Sequence, residues 1–220
     1  HQPSPWLNGY GQFAIEPVTG KPVFDQDERA RWFSHKGEVA TPYYYKVYLA
    51  DYDVVTEMTP TERAAIFRFT FPEDSSYVVV DAFDRGSSVT IVPEENKIVG
   101  YTTRNSGGVP DNFRNYFVIK FDKPFTYTAT FSNNGLKPAN QDTPAKLTLD
   151  TSANEKTDYH TGAVIGFNTT NGEQVIARVA SSFISPKQAE LNLRELGNNN
   201  FDYIAAQGRD AWNDVLGRIE

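Results

Sequence analysis

From about Tyr10 to Ile184, apolar and polar residues alternate in short runs. A period of two is the signature of strands, whose successive side chains point to opposite faces. Strands are predicted at Gln12–Glu16, Tyr43–Ala50, Val54–Met58, Ala65–Phe71, Tyr77–Phe83 and Ser88–Val92. Others follow at Lys97–Thr103, Tyr116–Asp122, Thr126–Phe131, Lys146–Leu149, Ala163–Phe167 and Gln174–Ile184. In the run Ile66 to Phe71, Phe67, Phe69 and Phe71 share one face and Arg68 and Thr70 the other, the pattern of a sheet with one buried face. Asp84-Arg85-Gly86, Asn133-Asn134-Gly135 and Asn171-Gly172 supply residues that tolerate positive φ, as tight turns need. About a dozen short strands with turn chemistry between them predict two packed antiparallel sheets, a large β-sandwich of the mainly-β class.

The pattern changes at Ser185. Ser185-Pro186-Lys187-Gln188 reads as a capping box: Ser185 can accept from the amide of Gln188, Gln188 can reach back, and Pro186 takes N1, where no N–H is needed. This helix is predicted to run to about Leu196 and stop at Gly197, and Asn198-Asn199-Asn200 starts another. Phe201, Ile204, Ala205, Ala211, Trp212, Val215, Leu216 and Ile219 then form one wide apolar stripe. Either chain that follows or the sandwich itself must cover it. The predicted organisation is a sandwich over 1–184 and linker helices over 185–220.

Charge and composition narrow the function. A formal charge of −7 and a pI near 5.0, with no run of Lys or Arg, exclude a nucleic-acid binder, which needs a basic face to displace counterions. No stretch approaches the ~20 apolar residues of a membrane span. The absence of cysteine removes disulfides, thiolate chemistry and Cys-based zinc sites. Neutral partners such as sugars stay open.

Few residues invite a catalytic reading. The three histidines, His1, His35 and His160, have no metal-ligand spacing. The acidic run Asp25-Gln26-Asp27-Glu28 fails as a calcium loop, because Arg29 and Ala30 stand where a ligand and a glycine are required, and reads as a solvated turn. Asp51 with Asp53, or Asp81 with Asp84, could be paired on paper as the two carboxyls of a glycoside hydrolase, which stand about 5–5.5 or 6.5–9.5 Å apart. Any acidic chain offers such pairs, and none is assigned a catalytic role. Trp6, stiffened by Pro3 and Pro5, is either a platform for the C–H face of a sugar or a cover over a sheet end; composition favours the cover. Phe113 follows the glycine–proline turn Gly107-Gly108-Val109-Pro110 and could line a pocket. It also shares parity with Phe117, Ile119 and Phe121, which makes a core residue the default.

Taken together, four segments resemble the amino-terminal domain of glycoside hydrolase family 92. They are His1-Gln2-Pro3-Ser4-Pro5-Trp6, the run from Phe33 to Tyr45, Gly107-Gly108-Val109-Pro110-Asp111-Asn112-Phe113, and Ile184-Ser185-Pro186-Lys187-Gln188-Ala189 with its helical sequel. The resemblance implies a calcium-dependent, inverting exo-α-mannosidase, commonly acting on α-1,2 bonds of mannose-containing glycans and exported to the periplasm or cell surface. It implies a β-sandwich joined by helices to a carboxy-terminal (α/α)6 barrel that supplies the acid, the base and the calcium ligands. This chain, which begins within a motif and without an initiator Met, would be the sandwich and linker, inactive alone, with no catalytic or metal-binding residue of its own. By the same resemblance Trp6 becomes a sugar contact, and Phe113 a weaker candidate for the same wall. The alternatives are an autonomous carbohydrate-binding module and a purely structural sandwich with Trp6 buried.

Overall fold

The computed structural model describes residues 10–72, 74–136 and 146–218. In chain order the first elements are β1 (Ala14–Thr19), α1 (Gln26–Arg29), β2 (Val39–Thr41), β3 (Tyr44–Leu49), β4 (Val54–Pro60) and β5 (Ala64–Phe71). Then come β6 (Asp74–Asp81), β7 (Ser87–Val92), β8 (Lys97–Thr102), β9 (Asn115–Phe121) and β10 (Tyr127–Ser132). The last are β11 (Thr148–Asp150), β12 (Glu155–Asp158), β13 (Thr161–Thr169), β14 (Glu173–Ser182), α2 (Pro186–Leu193) and α3 (Phe201–Leu216). One sheet runs β1-β6-β13-β10-β11 and the other β12-β7-β8-β9-β14-β5-β4-β3-β2, with antiparallel pairing throughout. The predicted sandwich followed by helices is the observed fold.

The main core lies between the sheets. Val18, Val78, Val80, Phe131 and Ile165 meet Val54, Phe69, Phe71, Ile91, Ile98, Phe117 and Ile119 there, all buried. Among the described strands the chain passes from sheet to sheet seven times. β5 leads to β6 across Pro72, and β13 leads to β14 across Thr170-Asn171-Gly172, with Gly172 at φ 77°. That turn, read in the sequence as a tight turn, is therefore an arch between layers. β13 and β14 sit inside their sheets, β13 between β6 and β10 and β14 between β9 and β5.

The outer face of the long sheet departs from the one-sided reading. Ile66, Ala64, Val118 and Ala180 are buried there under Ala189, Leu196, Phe201 and Ile204 of the helical segment. Central strands β5 and β9 are thus covered on both faces, and Arg68, a charge beside that cover, needs a polar answer. It has one: Arg68 donates to both oxygens of Glu57 (2.7 and 2.8 Å) and to Asp202 (3.0 Å), with its guanidinium 4.2 Å from the centre of the Phe201 ring. Ser185 caps α2 by accepting from Gln188 N (3.1 Å), while the Gln188 side chain reaches forward to Asn192. Asn200 caps α3 through Tyr203 N (2.9 Å).

The apolar stripe of α3 divides. Phe201 and Ile204 are buried on the sandwich, whereas every residue from Arg209 to Leu216 is exposed, Val215 at 58%. The helix crosses the β2–β3 turn at Gly208, where a Cβ would lie 3.1 Å from that of Tyr43. From there it runs on for two more turns, about 12 Å. Ile219 lies outside the described residues.

Candidate functional site

Strand register places several connections at one end of the long sheet. Ser87 pairs Thr102, Thr102 pairs Asn115, and Tyr116 pairs Ser182; Ala64 pairs Ala180, and Thr41 pairs Tyr44. The β6–β7, β8–β9, β4–β5 and β2–β3 turns, the start of α2 and the free half of α3 therefore converge there.

The β8–β9 loop owes its course to glycine. Gly107 and Gly108 have φ 107° and 73°, and Asn105 Oδ1 accepts from Gly107 N at 2.8 Å. Phe113 N bonds Pro110 O (2.9 Å), and β9 begins only at Asn115. The parity that makes Phe113 a core residue by default fails for this reason: Phe113 stands outside the ladder and is half-buried. Its ring meets Tyr10 edge-on (6.2 Å) and Phe183 at a tilt (5.6 Å), and Phe183 and Ile184 are 60% and 77% exposed. Trp6 lies outside the described residues. Gly11, nearest it in the described chain but for Tyr10, is pinned: Gly11 N donates to Arg104 O and Asn115 Nδ2 to Gly11 O, both 2.7 Å. At φ 69°, with Asn115 Cβ only 2.2 Å from where a Cβ would stand, that position needs glycine.

Tyr10, Phe183 and Ile184 escape the sequence reading. Phe183 and Ile184 extend the alternation of β14, so they read as strand, yet pairing stops at Ser182 and both face solvent. The Ser-Pro helix start right behind them was the available signal.

Beneath this end lies a buried charge cluster. Asp25 caps α1 by accepting from Asp27 N (3.0 Å), and the acidic run is a single helical turn whose Gln26, Asp27 and Glu28 are exposed, as a solvated turn would be. Its purpose in the fold is Arg29, which is buried and donates to Glu16 (2.9 Å), Asp81 Oδ2 (2.6 Å) and Phe24 O (2.5 Å). Asp81 Oδ1 accepts from Phe83 N and lies 2.8 Å from His160 Nε2. Burial alone would raise the Asp81 pKa, but His160 and Arg29 hold it below the ordinary range. For Glu16 burial dominates, and its pKa is raised.

The carboxylates of the paper pairs all have partners within the fold. Asp81 is sealed within its ion pairs, and Asp84 faces Arg104 at 3.5 Å. Asp51 accepts from Trp32 N (3.2 Å) and Asp53 from Tyr48 Oη (2.8 Å), both as turn fasteners. Among the described residues no three His, Asp or Glu side chains are grouped to hold a metal ion. A concavity of about 280 Å³ near the start of α3 is lined by Arg68, Asp122, Gln174, Arg178 and Asp202. Its arginines already serve protein partners, Arg178 bonding Gly197 O and Asn199 O, so it fastens the helix.

The model of the glycosyl hydrolase family 92 N-terminal domain matches residues 1–182. The chain belongs to family 92. A family 92 inverting mannosidase from Bacteroides thetaiotaomicron is 40% identical, with a TM-score of 0.87, over 100% of this chain and 28% of that one. A family 92 α-mannosidase from the same organism is 28% identical, with a TM-score of 0.77, over 93% of this chain and 28% of that one. The chain thus spans little more than a quarter of the length of these family 92 structures. Among curated proteins none matches.

Proposed function

We propose that this chain is the amino-terminal, non-catalytic part of a calcium-dependent, inverting exo-α-mannosidase acting on α-1,2 bonds of mannose-containing glycans. The sandwich is the unit over 1–184, and 185–220 links it to an (α/α)6 barrel that supplies the acid, the base and the calcium ligands. The observation that carries this reading is the convergence, at one end of the long sheet, of the Phe113 loop, the exposed Phe183-Ile184 pair and the solvent-facing half of α3. An apolar face of that extent needs a partner, and family 92 relatives have the length to provide one. The same overhang speaks against an autonomous carbohydrate-binding module.

In this reading Trp6 and Phe113 form part of the sugar pocket wall. Trp6 precedes Tyr10 by four residues, and four residues of chain span at most about 14 Å. An indole or phenyl face packs against the C–H face of a pyranose and fixes its orientation, which lowers the barrier by placement rather than by proton transfer. The calcium ligands belong to the barrel in this reading; among the described residues no three acidic or histidine side chains are grouped to hold the ion. Export fits a glycan substrate outside the cell; among the described residues no helix is long and apolar enough to cross a membrane.

The test is mannose release from an α-1,2-mannobioside, with calcium and with chelator, by this chain and by the full reading frame containing it. Calcium-dependent release by the long form alone is the expected result; release by the 220-residue chain overturns the reading. In the long form, Trp6→Ala should lower kcat/KM about ten-fold or more, ~1.4 kcal/mol of transition-state stabilisation. An unchanged value removes Trp6 from the pocket.

A further inference from the structure

The β6–β7 turn holds an aromatic residue in a backbone that aromatic residues avoid. Phe83 has φ 59°, followed by Arg85 at 76° and Gly86 at 111°. Left-handed backbone at a bulky residue is strained, and it persists only where surrounding structure fixes it. Here the fixing group is Asp81, fully buried, whose Oδ1 accepts from Phe83 N at 2.8 Å. Asp81 cannot turn away, because Arg29 holds its other oxygen at 2.6 Å and His160 lies 2.8 Å from the first.

The strained turn grips its neighbours. The Phe83 ring lies under the Arg104 guanidinium, 4.5 Å from its centre, and Arg104 closes on Asp84 at 3.5 Å. Asp84 Oδ1 is buried and has no hydrogen-bond partner among the described residues, and Arg104 is the group that answers its charge. The Thr103 hydroxyl donates to Arg85 O (2.6 Å), and Arg85 Nη1 to Asn105 O (2.5 Å). Arg104 O in turn receives Gly11 N. Both segments that flank the Phe113 ring, the chain at Tyr10–Gly11 and the loop from Asn105, are thereby tied to one turn.

We propose that Phe83 is a positioning residue: its ring, held in place by a left-handed backbone anchored on Asp81, sets Arg104 and through it the Tyr10–Gly11 and Asn105–Phe113 segments. The link to catalysis rests on the mannosidase reading above. Phe83 touches no sugar; it decides where the wall stands.

Phe83→Gly separates strain from function, since glycine adopts the same φ freely but carries no ring. In the full reading frame, this variant should raise KM for the mannobioside about ten-fold, with kcat within about two-fold and the melting temperature unchanged or higher. Phe83→Tyr, which keeps the ring, should restore the wild-type KM. A wild-type KM in Phe83→Gly overturns the inference, as does a KM increase that comes only with a lower melting temperature. Phe113→Ala in the same assay tells the two readings apart. If it too is silent, the pocket reading has failed; if it alone raises KM, only the role of Phe83 has. Amide exchange decides the matter without activity. Exchange at Gly11 and across 105–113 should quicken about ten-fold in Phe83→Gly while the core strands stay protected; unchanged exchange there overturns the proposal whatever the enzyme does.

Discussion

Asp81 and Arg29 put full charges where water does not reach, and the cost is contained only because each has partners on several sides. Removing one member leaves the other buried and uncompensated, so Asp81→Ala should cost about 3–5 kcal/mol by urea denaturation. Exposed pairs such as Arg218 with Asp214, 3.0 Å apart, should contribute about 0–1 kcal/mol when broken. The pH dependence follows from the direction of the shift. A carboxylate whose folded pKa is depressed contributes fully above its unfolded value, about 3.9, and loses that contribution as pH falls through the lower folded value. The stability gap between wild type and Asp81→Asn should therefore hold steady from about pH 7 to 5 and close below about pH 4 in acid titrations. Glu16 works in the opposite sense: with its folded pKa raised, it takes up a proton first, and its contribution grows as pH falls. None of this was legible in the sequence. Asp25, Asp27 and Glu28 advertise a solvated turn, and nothing in their spacing says that the next residue, Arg29, points inward to a carboxylate 52 positions away.

At the level of elements, periodicity reports that a face is apolar but not what covers it. It yielded both carboxy-terminal helices with their caps, and it could not divide the stripe of α3. Denaturation should show the division: Phe201→Ala is expected to cost about 3–5 kcal/mol and Ile204→Ala about 2–5, because both leave cavities over the sheet. Val215→Asp, on the exposed half, should stay within about 0.5 kcal/mol. Edge strands were lost for a related reason. β2 is three exposed residues and β12 is Glu-Lys-Thr-Asp, short or charged sequences that guard a sheet edge and carry no apolar alternation. The converse error occurs at Phe183 and Phe113. Alternation continues through both although their strands do not, and those two rings are the ones the candidate site exposes or half-exposes. Of the site, the sequence supplied Phe113 through its glycine–proline turn and the family resemblance; Tyr10 and Phe183 needed the register.

For the molecule as a whole, alternation identified two sheets but not their strand order, since any strand with one apolar face can sit beside any other. The order has a consequence in time. β13 and β14, the last strands in the chain, fill interior places in both sheets. Until residue 182 has been made, β5 and β9 have no neighbour on the sides that β14 will occupy, and β6 and β10 lack β13 between them. At about 5–20 residues per second on a ribosome, most of the sandwich is synthesised and waits on the order of ten seconds with unpaired edges. Nascent chains ending near residue 160 should be cut readily by protease, and chains carried past residue 182 and clear of the ribosomal tunnel should become resistant in one step. Strand order alone thus makes closure of both sheets a late event in the life of the nascent chain.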